Sequence, residues 1–352
     1  MYIHNHLNLY LYHYFVYFHQ YGEYEHKVIS NEFINGEKLP QYYALQHPGD
    51  YLNALYFIIK DCIEKSGVNS IDIIGVGVDF TSCTLLCVDE KGTPLCFFDE
   101  FKNNPHAYAK LWKHHSTQKE ADEINKLAKF TGAKWLKRYG GAISCESVLP
   151  KILETLRADE NIYNSTFRFI EAGDWIVWQL TGNETHSVCA AGFKATWEEE
   201  EGYPDKEFLK HLDSRLENIT GSKLSTDISL LSQKAGTITK EVAKITGLCE
   251  GTTVMPASID AHAALPALGV TKPGKLVMIL GTSSCHIILG EKRIDVPGIL
   301  GCVKNGIIDG LYAFESGQAC VGDAFDWFVK NCVPHSYYLE AEKENINIHK
   351  YL

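Results

Sequence analysis

The sequence predicts an α/β protein with mixed sheets, divided into two domains. Short apolar runs of strand length alternate with amphipathic stretches of helix length, and hairpin turns fall among the runs. At 352 residues the chain exceeds what one hydrophobic core usually holds, and 45% hydrophobic content against 22% charged residues implies a large core.

Residues 1–25, MYIHNHLNLYLYHYFVYFHQYGEYE, are crowded with Tyr and His and precede the first basic side chain, Lys27. A secretory signal needs a basic start and an unbroken apolar run, and a membrane-spanning helix needs a longer run free of His and Asn. The segment fits neither, and reads as an atypical tail or strand remnant. From Gln46 the chain becomes regular. HPGDYLNALYFIIKDCIEKSG has Pro48 in a first turn, apolar residues at helical spacing and Gly67 as a stop, which predicts an amphipathic helix. IDIIGVGVD (Ile71–Asp79) predicts a buried strand ending on a carboxylate, and TLLCVDEKGTPLCFF a hairpin turning on Glu90-Lys91-Gly92. HAYAKLWKHH, Glu120–Phe130 and SCESVLPKILETL read as helices, the last kinked at Pro150. FRFIEA leads into a helix DWIVWQLTG closed by Gly182; Asn183–Ser232, with AAGFKATW and WEEEEGYPDKEF, is less regular; TKEVAKITG is a helix.

The stretch Thr252–Ile288, TTVMPASIDAHAALPALGVTKPGKLVMILGTSSCHII, concentrates the chemistry. An apolar run ends in Asp260, a short Ala-rich helix and a Pro-Gly turn follow, and a second apolar run ends in Gly281-Thr282-Ser283-Ser284. A carboxylate fixed at a strand end before small residues is placed to take a proton or hold a metal, so Asp260 is the first candidate. The Gly-Thr-Ser-Ser turn offers N–H groups and hydroxyls to phosphate oxygens. Each has a plainer reading, Asp260 as an N-cap and the turn as a simple hairpin turn. Their occurrence on consecutive strands favours the chemical one.

Beyond Val270, TKPG reads as a hinge, so the first domain is residues 26–270 and the second 271–352. The second holds a hairpin (KLVMILG, HIILG), one strand (GLYAFESG) and two helices, among them GDAFDWFVKN. That is too little to cover both faces of a sheet, so a truncated domain with exposed apolar surface is expected.

A formal net charge of −11 argues against a nucleic-acid backbone or an anionic membrane as partner and favours a small molecule. The 11 cysteines are odd in number, scattered and without a CxxC pair, as expected of reduced core thiols in a cytosolic protein; Cys83 and Cys87 would share a strand face.

From about Tyr24 to Leu352 the chain resembles the FGGY carbohydrate kinases, whose fold is the two-domain actin-like (RNase H-like) ATPase. The resemblance is carried by YALQHP (Tyr43–Pro48), GVGVDFTSCT (Gly75–Thr84), NPHAYAKLWKHH (Asn104–His115), RYGGAIS (Arg138–Ser144), EAGDWIVWQLTG (Glu171–Gly182), AGFKATW (Ala191–Trp197), IDAHAALPALGV (Ile259–Val270), MILGTSSCH (Met278–His286) and ESGQACVGDAFDWFV (Glu315–Val329). VDFTSCT together with LWKHH is similar to the ribulose-phosphorylating members rather than those acting on xylulose, glycerol or fuculose. The resemblance implies ATP- and Mg²⁺-dependent phosphorylation of L-ribulose at its 5-hydroxyl, as in L-arabinose catabolism, and leaves a homodimer open. Alternatives are another ketopentose or polyol as acceptor, or an inactive sugar-binding remnant.

The same resemblance assigns roles. Asp260 matches the general base and a metal-binding carboxylate; Gly281, Thr282 and Ser283 match a phosphate loop; Ser82 matches a position whose backbone touches the sugar; Lys194 and Glu315 match sugar-binding side chains. Against these, a lysine is usually solvated or snorkels over apolar neighbours, here Phe193 and Trp197, and Glu315 could cap the next helix. His114 and His115 diverge by about 100° if helical, which favours core or surface roles over a metal. Two departures stand out. The family opens on an Asp-x-Gly-Thr phosphate hairpin, whereas the first aspartate here is Asp50 and residues 1–25 stand in its place. The family's adenosine-binding Gly-Gly segment lies beyond the position of Leu352. These 352 residues are therefore expected to hold ATP no tighter than about millimolar, because one loop of donors offsets poorly the desolvation of a triphosphate.

Overall fold

The computed structural model describes residues 11–13, 16–18, 27–281, 283–318 and 320–352. A four-stranded antiparallel sheet forms the centre of the N-terminal part, in the order Leu45–Gln46, Ala109–Lys110, Leu85–Val88, Arg168–Glu171. Its pleat sends Leu85, Cys87 and Phe169 into one core, with Ile124, Ile152 and Trp135 from the covering helices. Leu86, Val88 and Ile170 point the other way, into a second core with Leu55, Ile59, Trp175 and Val242. Helices thus cover both faces, and each fully buried aliphatic side chain contributes about 1.5–3 kcal/mol.

The helix Pro48–Ser66 forms as its sequence predicts. The His47 side chain caps it by accepting from the Gly49 N–H, and Gly67 ends it at φ 66. Ala172–Thr181, ended by Gly182 at φ 74, is almost wholly buried, and the Trp175 indole donates to the Gly92 carbonyl at 2.7 Å. Gln118–Thr131 and Lys240–Thr246 also form where expected.

Beside these layers the segment 75–80 runs parallel to 253–259. Gly75–Val76 pairs with Thr253–Val254, and Asp79–Phe80 with Ser258–Ile259, so both segments reach a carboxylate, Asp79 or Asp260, at the same end. Ile71–Asp79 is nevertheless not the continuous buried strand that its apolar run suggests. Ser70–Asp72 is a 3₁₀ turn, Ile71 and Ile74 are exposed, and the ladder lapses opposite Pro256, which has no N–H to donate.

Other expectations are corrected for similar reasons. The expected hairpin return after Gly92 shrinks to one bridge, Val88 with Pro94, before the 3₁₀ turn Leu95–Phe97, because Pro94 cannot donate to a ladder. HAYAKLWKHH is not an α-helix: His106 and Ala107 close a 3₁₀ turn, and Ala109–Lys110 is captured as a strand between Leu45 and Leu85. Pro150 sits at the third position of Val148–Ala158, where its missing N–H would lack a helical partner anyway, so nothing is kinked there. The supposedly irregular 183–232 contains the helices Val188–Lys194 and Lys206–Leu212, capped by Ser187 and Asp205. Cys83 lies in a left-handed turn (φ 58) before the strand bearing Cys87, and Cys320 and Cys332 are exposed rather than core thiols. Of residues 1–25, Leu11–His13 and Val16–Phe18 pair antiparallel; the rest of the expected phosphate-hairpin replacement lies outside the described residues.

The C-terminal part is a second antiparallel sheet, ordered Leu276–Leu280, Ser284–Gly290, Tyr312–Gln318, Gly301–Lys304. The last of these was not foreseen. Its inner face, with Val277, Ile287, Leu289 and Ala313, packs on Cys189, Phe193, Ile259 and Leu265. Its outer face leaves Leu276, Met278, Leu280 and Ile288 exposed. The Leu276–Leu280 strand is therefore buried on one face, not both.

Candidate functional site

Asp260 opens the helix Asp260–Ala267, and its Oδ1 accepts the Ala261 N–H at 2.7 Å. The residue is exposed, yet crowding by the surrounding protein raises its pKa above the usual carboxylate value, with the Ala261 N–H, His262 and Lys194 pulling back. Asp79, at the end of the parallel neighbour, is pushed up to about 6 by burial and then by the charge of Asp260. Two oxygen-donor carboxylates with raised proton affinity thus share one strand end, an arrangement suited to proton transfer or to a hard divalent cation.

Lys194 ends the helix Val188–Lys194, which lies directly on the strand Gly301–Lys304. At Gly192 a Cβ would stand 2.3 Å from Val303 Cγ1, so only glycine permits this approach. The approach delivers the Lys194 ammonium to Glu315, with Nζ 2.9 Å from each carboxylate oxygen. Burial alone would lower the Lys194 pKa, but Glu315 more than reverses this; likewise burial would raise the Glu315 carboxyl, and Lys194 holds it well below its usual value. The solvated-lysine reading is thereby corrected. Glu315 lies inside the strand Tyr312–Gln318, so the helix-capping reading fails as well.

Sequence reasoning missed the groups packed around this pair. His262 is fully buried, its Nε2 3.3 Å from Glu315 Oε2 without the alignment of a hydrogen bond, and its Nδ1 3.1 Å from Cys189 Sγ. Cys285 Sγ lies 3.7 Å from Glu315 Oε1. His262 stood in IDAHAALP two residues after Asp260, and that nearness was the available signal. A cavity of about 410 Å³, lined by Val76, Asp79, Ser258, His262 and Ile307 among others, adjoins the cluster.

Ser82 is half-buried in the turn before Leu85–Val88. That turn is pinned from below: Lys151 donates to the Cys83 and Leu111 carbonyls, and Glu171 Oε2 accepts the Thr84 N–H at 3.0 Å. Burial pushes Glu171 up to about 7, against the pull of Lys151. The Lys194 charge acts on both Cys83 and Asp260, and the Asp260 charge acts on Asp79, so these groups are electrostatic neighbours. Gly281 and Ser283 form the turn between the first two strands of the C-terminal sheet, where the Gly281 N–H donates to Ser283; Thr282 lies outside the described residues. The Gly281 carbonyl accepts from Gly322, the first residue of Gly322–Cys332, so a helix N-terminus abuts this turn. His114 is buried against Glu154 and His115 pairs with Glu146 near the surface, which are the core and surface roles expected of them, though in irregular chain rather than a helix.

The fold is that of the sugar kinases. The structure superposes on a xylulose kinase from Rhodospirillum rubrum with TM-score 0.69 and 17% identity, over 88% of this chain and 58% of that one. It also superposes on a glycerol kinase from Plasmodium falciparum with ADP, with TM-score 0.65 and 16% identity, over 92% and 61%. The chain belongs to the FGGY family of carbohydrate kinases: residues 23–267 match the family's N-terminal domain and residues 276–347 its C-terminal domain. Similar proteins include the ribulokinase of Halalkalibacterium halodurans, 48% identical over 330 residues, covering 94% of this chain and 59% of that protein. The ribulokinase of Mycolicibacterium smegmatis is 43% identical over 332 residues, again covering 94% and 59%. The chain thus spans about three-fifths of the length of these relatives.

Proposed function

We propose that the whole protein is an ATP-dependent kinase phosphorylating L-ribulose at its 5-hydroxyl, with residues 26–270 carrying the sugar site and residues 271–352 contributing Glu315 and a phosphate-binding turn. The observation that carries this reading is the buried Lys194–Glu315 pair, whose lysine also acts electrostatically on Asp260, in a chain 48% identical to a ribulokinase. A sugar hydroxyl is a poor nucleophile at neutral pH, so a carboxylate of raised proton affinity is useful as the oxygen attacks. Asp260 takes that proton. Lys194 and Glu315 orient the sugar hydroxyls, one as donor and one as acceptor, and Ser82 offers its backbone. Gly281, Thr282 and Ser283, with the adjacent helix N-terminus, meet the phosphates. Mg²⁺, for which the oxygen donors of Asp260 and Asp79 are a fitting hard ligand pair, would neutralise developing phosphate charge.

The test is titration of the chain with L-ribulose, D-xylulose and glycerol by calorimetry, beside an ADP-release assay on the whole protein and its Asp260→Asn variant. Preferential L-ribulose binding, with turnover about two orders of magnitude lower in the variant and sugar affinity little changed, is expected of a base acting in the transition state. Turnover within a few-fold of the parent removes Asp260 from that role, and preference for another acceptor moves the substrate.

A further inference from the structure

We infer that His262 Nε2, Cys285 Sγ and the Glu315 carboxylate form a binding site for a thiophilic divalent cation of the Zn²⁺ class, which competes with the Lys194 ammonium for Glu315. The three ligand atoms lie within 4.8 Å of one another. Sheet register explains the nearness of two of them: Ile287 pairs with Glu315 and Cys285 with Gly317, so Cys285 and Glu315 are diagonal neighbours on the inner face, within each other's reach. The third descends from the helix Asp260–Ala267, whose third residue is His262. Zinc bonds of about 2.0–2.3 Å set ligand atoms roughly 3.5 Å apart in a tetrahedron, so a contraction of about an ångström closes the site.

Two further observations point to a ligand here. His262 Nε2 is fully buried, lacks a hydrogen-bond partner and is aimed at Glu315. Its other nitrogen is engaged by Cys189 Sγ at 3.1 Å, the kind of outer contact that fixes ring orientation and leaves Nε2 for a metal. Mixed N, S and O donors suit zinc rather than magnesium. Cys285 is only half-buried, which gives the ion a way in, and three protein ligands leave a fourth position for water. On binding, the Cys285 thiol and the His262 Nε2–H each release a proton to solvent, and His262 then binds as neutral imidazole with its Nδ1–H directed at Cys189. Glu315 cannot keep Lys194 at 2.9 Å on both oxygens while it ligates a cation, so the two occupants oppose each other.

The experiment titrates Co²⁺, then Zn²⁺, into the chain carrying Cys320→Ser and Cys332→Ser, which removes the two exposed thiols. A thiolate-to-cobalt charge-transfer band reports on cysteine alone; residues 1–25 hold His but no Cys and cannot produce it. One equivalent of Co²⁺ is expected to give the band, and Zn²⁺ to abolish it. Cys285→Ser should remove the band, His262→Gln should weaken binding at least tenfold, and Lys194→Met should tighten it by about tenfold or more by freeing Glu315. Thermal unfolding of each variant identifies any that fails to fold, and Cys285→Ser, a nearly isosteric change at a half-buried position, keeps the proposal testable in that case. A band that survives in Cys285→Ser, or binding unchanged or weakened in Lys194→Met, overturns it. None of these readouts needs sugar or turnover, so failure here is separable from failure of the kinase reading.

Discussion

The sheet before Val270 and the sheet after it solve the same problem to different degrees. The first sends alternate residues, such as Leu86 and Cys87, into two separate cores, each roofed by helices. The second buries Val277 and Ile287 against the first part and leaves Leu276, Met278 and Leu280 in the open on its other face. The helix Gly322–Cys332 after it also shows Phe325, Trp327 and Phe328 to solvent. Position within the site follows from this difference. Lys194 and Asp260 are held by a closed scaffold, whereas Glu315 is held by one face of a sheet docked onto that scaffold.

The pair Lys194–Glu315 joins the two parts, and breaking it gives the largest expected effect. Lys194→Met leaves the Glu315 carboxylate buried with its ammonium removed, which should cost about 3–5 kcal/mol in urea unfolding. Lys194→Met with Glu315→Gln, which removes the stranded charge, should recover much of that. Equal losses in the single and double variants would mean that the pair does not tie the two parts together.

How much of this was legible in the sequence divides along the same line. The helix Pro48–Ser66 was readable because its start and stop are local: a His-Pro entry and Gly67. Asp260 stood out as a candidate because an apolar run ends on it. What could not be read were decisions taken across long separations. Ala109–Lys110 looks helical in isolation, but Leu45 and Leu85 recruit it into a sheet, and the Lys110 ammonium then finds buried Glu154 at 2.6 Å. AAGFKATW looks irregular because Gly192 weakens a helix locally, yet the approach to Val303 requires that glycine. The Lys194–Glu315 contact joins residues 121 positions apart, and no local pattern encodes it.

Gly192 sharpens the comparison by acting on the contact between the parts without touching a charge. In a free helix Gly→Ala would gain roughly 1 kcal/mol. Here the added methyl meets a stiff β-branched neighbour at 2.3 Å, and overpacking of that kind costs about 1–3 kcal/mol. A net loss in Gly192→Ala is expected, with faster amide exchange in 301–318, and Val303→Ala in the same chain should relieve it. A net gain would show that the helix can slide.

The closed part carries a cost of its own, readable in pH. Asp174 is buried and accepts the Ser187 N–H at 3.1 Å, and burial pushes its pKa up to about 8. Between about pH 4, where an unfolded aspartate ionises, and about pH 8, the folded protein keeps a proton that the unfolded chain has released. The folded state binds more protons across that window, so stability falls as pH rises through it. Asp174→Asn stays neutral and should lose this part of the decline, gaining on the parent by about 1–3 kcal/mol between pH 5 and pH 8 in urea midpoints. Glu171, raised to about 7, keeps a residual slope in both proteins. Parallel curves for parent and variant would mean that Asp174 ionises normally in the folded state.

The smallest effect on stability is expected where the second sheet is open. Met278 and Leu280 are 52% and 65% exposed on its outer face, so replacing both with lysine removes little burial and should change unfolding free energy by no more than about 0.5 kcal/mol each. Self-association is a different matter. Leu276, Met278, Leu280 and Ile288 lie side by side on two paired strands, and a contiguous apolar surface of this kind is a contact site for other chains. Charge placed there repels a second copy without disturbing Val277 and Ile279, which point inward from the same strand. Light scattering at rising protein concentration should therefore show less association in Met278→Lys/Leu280→Lys than in the parent, with nearly unchanged unfolding midpoints. A large loss of stability would mean that this face is packed in solution and that the contrast between the two sheets is smaller than their geometry indicates.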